Sequence, residues 1–418
     1  MGGSSRQMPK EPGLSPGVAA VVLTVVIANL GNNIVSPLIP AIKDQFGSTA
    51  AQVSLMVSGF GLGRLAMDLP AGFLTDRVGP ARLFAIGILL SGAAAALATL
   101  STSLEQLIVF RTAMGFGSAI MSTVALTLLA RIAPPGQRGA VLGFYTSAML
   151  FGQAISPTIG GYLGTVFDWR AAFVFCALTP FISFPMNILV TSRTDAVKRP
   201  IGGDSGKVPR SEPGAVFGPT STTGLDWPAL TTVYLGTFVN FFNRHGMRNA
   251  LLPLYAGMVL GLDPGFIGAV LTTGSVFTIL INLPSGSLAD RIGKKLLLIP
   301  GLLTLVVGNL CVLLGGSSTL VFVVATVLIS MGVLSNSMLT ALVADLVPER
   351  LAGRGMGMYR FTSDLGAVLG PITLGLIVDS AGFPSAVVVG AGVVLLGLTA
   401  VLLFLPRHVT PSRVDRTA

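Results

Sequence analysis

Seven charged side chains interrupt otherwise apolar stretches of the chain: Arg64 and Asp68, Arg111, Arg244 and Arg248, Arg360 and Asp364. Inside a membrane helix each would cost about 2.5–3.5 kcal/mol on the insertion scale, so such groups persist where they pair or line a wet cavity. Arg64/Asp68 and Arg360/Asp364 are each spaced i,i+4, which sets an acid and a base on one helix face. A carboxylate that meets and leaves an arginine can release and take up a proton. A guanidinium is also a fork for a carboxylate or phosphate. A second polar cluster holds Asn240, Asn243, Arg244, His245, Arg248 and Asn249 within ten residues. At α-helical spacing Asn240, Asn243 and Arg244 share a face and Arg248 continues it one turn on. Near the start of the chain Asn29, Asn32 and Asn33 offer amides, with no acid among them. Hydrolytic or metal chemistry is not supported. The two histidines, His245 and His408, and the two cysteines, Cys176 and Cys311, are isolated, and no nucleophile–base pair is visible. An enzyme is not expected, and neither a cofactor nor a metal is called for.

The elements that must position these residues are membrane helices. Of 418 residues, 52% are apolar and 10% charged, against about 25% charged in a soluble domain. Mean hydropathy is +0.80. A window of about 19 residues predicts twelve spans. Six fall at 17–42, 52–74, 83–101, 105–130, 139–165 and 170–191, and six more at 228–257, 265–288, 295–315, 319–345, 355–378 and 384–405. Each can cross a hydrocarbon core of ~30 Å. The expected fold is therefore all-α and integral to the membrane, with a six-helix bundle at 17–191 and another at 228–405. A short tail (1–16), a polar linker (192–227) and a second tail (406–418) complete the chain. With both termini inside, 19 of the 26 Lys and Arg are cytoplasmic, and Lys43 and Arg170 alone fall outside, the usual positive-inside bias. That bias accounts for the net charge of +9 without nucleic acid as a partner. Trp169 and Trp227 begin spans on opposite faces, where interfacial aromatics are expected.

The two halves repeat. Gly72, Asp76, Arg77 and Gly79 recur 214 residues later as Gly286, Asp290, Arg291 and Gly293. Gly152, Pro157 and Gly161 recur as Gly366, Pro371 and Gly375. Duplicated bundles imply a midplane site between them. At this offset Arg64 and Asp68 become Thr278 and Asn282, while Arg360 and Asp364 correspond to Thr146 and Leu150. The charges break a symmetry that the scaffold keeps.

The loops GFLTDRVGPARLF (72–84) and GSLADRIGKKLLL (286–298) resemble the signature loop of the major facilitator superfamily, in both halves. Pro80 and Ala81 stand where that loop usually has basic residues. Span 4 carries Arg111, Gly115 and Gly117, similar to the RxxQGxG pattern of drug/proton antiporters, with Met114 for Gln. Span 5 carries Gly152, Pro157 and Gly161 in a run similar to the antiporter motif GxxxGPxxGG, with Ser156 for Gly; span 11 repeats it as Gly366, Gly370 and Pro371.

The resemblance implies a twelve-helix transporter with a hinge at those glycines and prolines, and proton-driven export of small organic or amphipathic compounds by alternating access. It gives Arg111 the role of coupling arginine. Spans 2 and 11 meet in that fold. Asp68 is thus expected to face Arg360, and Arg64 to face Asp364, as a cytoplasmic gate that closes when the cavity opens outward. The expected cavity residues are Asn29, Asn32, Asn33, Asn240, Asn243, Arg244 and Arg248. An organic-anion importer or exchanger using the span 7 arginines is the alternative, and a lipid flippase or a non-transporting sensor would fit the same scaffold. The expected setting is a monomer in the lipid bilayer of a bacterial inner membrane, both termini cytoplasmic, with protons as the coupling ion.

Overall fold

The computed structural model describes residues 16–133, 138–193, 226–332, 334–348 and 351–406. Both tails and nearly all of the linker expected at 192–227 lie outside these residues. Apolar runs with few helix breakers give helices throughout: α1 (Pro16–Asn33), the short α2 (Ile39–Phe46), α3 (Ala50–Val78), α4 (Pro80–Thr99), α5 (Leu104–Ile132), α6 (Arg138–Val166) and α7 (Trp169–Arg193). The second half has α8 (Trp227–Phe242), a π-helical segment (Asn243–Leu251), α9 (Leu252–Met258), α10 (Pro264–Ile292), α11 (Lys294–Leu314), α12 (Thr319–Met331), α13 (Leu334–Leu346) and α14 (Ala352–Phe404). Gly382, at φ +81°, breaks α14 into two limbs. Counting α1–α2, α8–π–α9 and α12–α13 as one pass each, and α14 as two, the described residues make twelve passes. Six stretches are apolar enough over 18-residue windows to cross a membrane by length and composition alone.

The repeat is visible in the turns and seams. Gly79 and Gly293, ending the two signature loops, have φ of +87° and +97° and cap the next helix. A side chain there would be strained. Gly72 and Gly286 stand in open space, and Arg77 and Arg291 are exposed. The side chains of Asp76 and Asp290 fall outside the description. α3 lies against the first limb of α14, and α6 against α10, as two seams between the halves. A Cβ on Gly161 would collide with the Pro264 carbonyl, and one on Gly375 would lie 2.8 Å from Ala51 Cα. Gly161 and Gly375, Pro264 and Ala50, and Gly265 and Ala51 are all related by the 214-residue offset, so the two seams close alike.

The hydrogen bonds and ion pairs joining the halves concentrate at the end carrying Ala50 and Pro264 and at mid-depth. There the first bundle's core takes in Ala250 and Leu254 from the second half. Trp169 departs from expectation: it is 2% exposed, packed between Phe46 and Phe173, and donates from Nε1 to Gln45 Oε1 at 3.3 Å. It is a core residue. Trp227 is half-exposed.

Candidate functional site

The motif glycines bring the charged helices close enough to share one cavity. Gly115 of α5 packs on the Phe60 carbonyl of α3, and Gly117 on Gly87 and Ser91 of α4. Ser156 hydrogen-bonds the Leu30 carbonyl of α1, and Gly152 meets Val26. In the other half Gly366 and Gly370 lie on the backbone of Phe238, Phe242 and Gly246. Small residues at these points permit the close approach of backbones that membrane helices favour. Pro157 and Pro371 sit inside continuous helix.

Between the halves lies a cavity of about 270 Å³. Its wall includes Arg64 and Asp68 of α3, Arg111 of α5, Arg360 and Asp364 of α14, and Asn33, Gln153, Arg244, His245 and Asn249. Asp68 Oδ2 faces Arg360 Nη1 at 3.9 Å, with the Asp68 side chain 9% exposed and Arg360 42%. Asp68 Oδ1 is buried without a hydrogen-bond partner. Asp364 is 8% exposed and lies within electrostatic reach of Arg64, Asp68 and Arg360. Arg111, 2% exposed, donates to the Gly31 carbonyl at 3.3 Å and lies over the Phe60 ring at 4.7 Å.

Two features of the expected gate differ. Arg64 donates to Ser118 on α5 at 3.0 Å, and among the described residues it forms no ion pair with Asp364. Asp68 and Arg360 also meet while the opposite end of the molecule is closed, whereas the gate predicts that contact for the reverse state. The α3–α14 register explains this. Contacts run from Ala51/Gly375 through Ser58/Val368 to Asp68/Arg360. The four charges therefore stand on the wall of the central cavity at the helix crossing, and not at its exit.

Span 7 corrects a larger part of the expected cavity. The stretch Asn243–Leu251 is π-helical, with i→i+5 bonding, so α-helical spacing does not describe its faces. Asn240 turns into its own half, donating to Gly332 O at 3.2 Å and contacting Ser335 Oγ. Asn243 is fully buried beside Gly390, with neither amide atom hydrogen-bonded. Arg248 is 4% exposed and its donors are spent within its half: on Ser330 Oγ (2.8 Å), Asn249 Oδ1 (3.0 Å), Leu271 O (2.8 Å) and Ser275 Oγ (2.6 Å). It is a structural clamp of α10 and α12 on span 7, and a narrow side pocket reaches it.

Arg244 points into the main cavity and donates to Gln153 Oε1 of α6 at 3.1 Å. His245 stacks on Phe241 (centroids 5.8 Å, 11°), its Nδ1 3.2 Å from the Phe241 carbonyl, and it also faces the cavity. Asn249 reaches across to Asn33 Oδ1 at 3.4 Å. The side chains of Asn29 and Asn32 lie outside the description. Sequence reasoning missed Gln153 and the aromatic walls Phe60 and Phe241; an uncharged Gln in an apolar span was the one available signal.

The family model described as Major Facilitator Superfamily matches residues 21–263 and again 233–418. The chain belongs to the major facilitator superfamily. Its relatives within the superfamily include the multidrug efflux protein YfmO of Bacillus subtilis, 25% identical over 400 residues and covering 92% of each chain. The quinolone resistance protein NorA of Staphylococcus aureus is 22% identical over 388 residues, covering 92% of this chain and 96% of that one. A solved bacterial homologue of the human lysosomal transporter Spinster, described as inward-facing and unoccupied, has the same fold with a TM-score of 0.77 at 15% identity, covering 95% of this chain and 98% of that one. The protein is a membrane transporter.

Proposed function

We propose that the protein exports a small organic or amphipathic compound in exchange for protons, by alternating access of the central cavity. One observation carries the proton step: a carboxylate pair from opposite halves, Asp68 and Asp364, close enough to share a proton and flanked by Arg64 and Arg360, with no donor to Asp68 Oδ1 among the described residues. A buried carboxylate oxygen without a donor is costly, and a proton or a substrate donor relieves it. Separation of α3 from α14 changes the arginines each carboxylate faces and so exchanges its proton. Arg111, at the position of the antiporters' coupling arginine, holds α1 to α5 through Gly31 on the wall of the same cavity.

The Lys and Arg bias puts the signature loops and both termini in the cytoplasm, so the closed end at Ala50 and Pro264 faces outward and the state is inward-facing. The bacterial efflux relatives support an inner-membrane location. One chain supplies both walls of the cavity, which suits a monomer. The test is internal pH in proteoliposomes challenged with organic cations and anions. Substrate-driven proton movement that is lost in Asp68→Asn or Asp364→Asn is the expected result. Substrate flux indifferent to pH would replace the antiporter with an exchanger.

A further inference from the structure

We propose that the end of the cavity formed by Arg244 and Gln153 is an anion subsite, and that the transported compound carries a carboxylate, sulfonate or phosphate next to an aromatic body. The inference rests on the reading of this cavity as the substrate site and names what it accepts.

The two arginines of span 7 have separate fates, and the π-helical segment divides them. In an α-helix Arg244 and Arg248 would stand one above the other. Here Arg248 gives four of its five donors to acceptors of its own half. Arg244 has a single described hydrogen bond, to the neutral amide of Gln153 in the other half, although a guanidinium offers five N–H donors. Among the described residues no carboxylate lies within 4 Å of it. The carboxylates of the cavity belong to the α3–α14 crossing, where Arg64 and Arg360 stand beside them.

Around Arg244 the wall is built of donors and neutral amides. Gln153 Oε1 is engaged by Arg244, which leaves its Nε2 as a donor. Asn33 and Asn249 close the same region by bonding each other across the halves. The stacked Phe241–His245 pair supplies a flat ring face beside it. An arginine within a membrane span with a neutral partner is expensive, and a bidentate oxyanion is the ligand that its fork fits. Because Arg244 and Gln153 belong to opposite halves, an anion held between them would also tie the halves together.

The experiment measures equilibrium binding to the full-length protein in nanodiscs, against empty nanodiscs, by calorimetry with two matched aromatic probes: naphthoate and naphthylmethylammonium. Naphthoate is expected to bind at least about tenfold more tightly than the cation. Arg244→Gln should weaken naphthoate by about ten- to a hundredfold, the range for a charge-assisted hydrogen bond, and leave the cation unchanged or tighter. Gln153→Glu, which sets a carboxylate against Arg244 without removing it, should reproduce the loss and keeps the test intact if Arg244→Gln does not fold. Equal or cation-favouring affinity in the unaltered protein, or naphthoate affinity within twofold in both variants, overturns the subsite. If that occurs while proton-coupled transport of a cation persists in liposomes, the subsite alone has failed. If naphthoate binding holds and proton movement does not, the coupling has failed and the subsite stands.

Discussion

The α3–α14 and α6–α10 seams are copies in packing and opposites in chemistry. Each closes on a glycine, Gly375 or Gly161, set against the first turn of the facing helix. Each also offers that turn a polar cap. Asp379 accepts from the Ala50 and Ala51 amides, both at 2.8 Å, and its counterpart Thr165 accepts from Gly265 N at 2.9 Å. Deeper in, the resemblance stops. The α3–α14 seam holds Arg64, Asp68, Arg360 and Asp364. In the other seam Thr158 and Thr272 share a 2.7 Å hydrogen bond. There Thr278 and Asn282, the counterparts of Arg64 and Asp68, bond Ser330 O and Ser337 Oγ within their own half. Close packing is needed on both sides for the halves to meet. Charge deep within the membrane stands on one of them, the seam where the proton step is proposed.

The largest effect expected of this difference is on coupling. Asp68→Asn should lower substrate-driven proton flux in liposomes by more than tenfold, because it removes one carboxylate of the pair on which the proposed proton step rests. Asn282→Asp, at the equivalent place in the neutral seam, should keep most of it. Equal losses in the two would end the distinction between seams. Next in size is the outer cap. Asp379→Asn removes the charge and one of two acceptors from a helix N-terminus, about 1.5 kcal/mol, the low end for a charge-assisted hydrogen bond because the carboxylate is exposed, so opening at the Ala50 end should rise by about tenfold. Thr165→Val removes one neutral hydrogen bond, about 0.5–1.5 kcal/mol, and should raise it less. Cross-linking of cysteine pairs placed across each outer contact reads both. The smallest effect separates the repeated tyrosines. Tyr359 donates to Asn336 Oδ1 at 2.6 Å and accepts from Thr340 at 2.8 Å. Its counterpart Tyr145 has no described hydrogen bond. Tyr359→Phe should lower the melting temperature by a few degrees, the scale of about 1 kcal/mol, and Tyr145→Phe should leave it unchanged.

Much of the scaffold was legible before any coordinates. Hydropathy marks the spans because a bilayer admits few charges, and the 214-residue offset pairs positions that the structure then places at equivalent contacts. The meeting of Asp68 with Arg360 follows from the order of spans 2 and 11 once the superfamily is recognised. The charged wall of the cavity was legible, and Arg244 faces it from within the π-helical segment. α-Helical periodicity sets Asn240 and Arg248 on that face too, but Asn240 bonds Gly332 and Ser335 from regular helix, and the π-helical winding turns Arg248 into its own half. Gln153 bonds Arg244 of the other half, 91 residues away, so no pattern within its own span could identify it.

By itself the sequence determined the number and kind of elements, the repeat, and the identity of the few charges that must be solvated or paired. Those are properties of composition and spacing along one chain, and the hydrocarbon core selects for them directly. Only the tertiary structure decided which charges share a cavity, which arginine of span 7 bonds within its own half and which faces the other. Those outcomes depend on the local winding of one helix and on distances between residues 91 to 329 positions apart. No periodicity within a span encodes them.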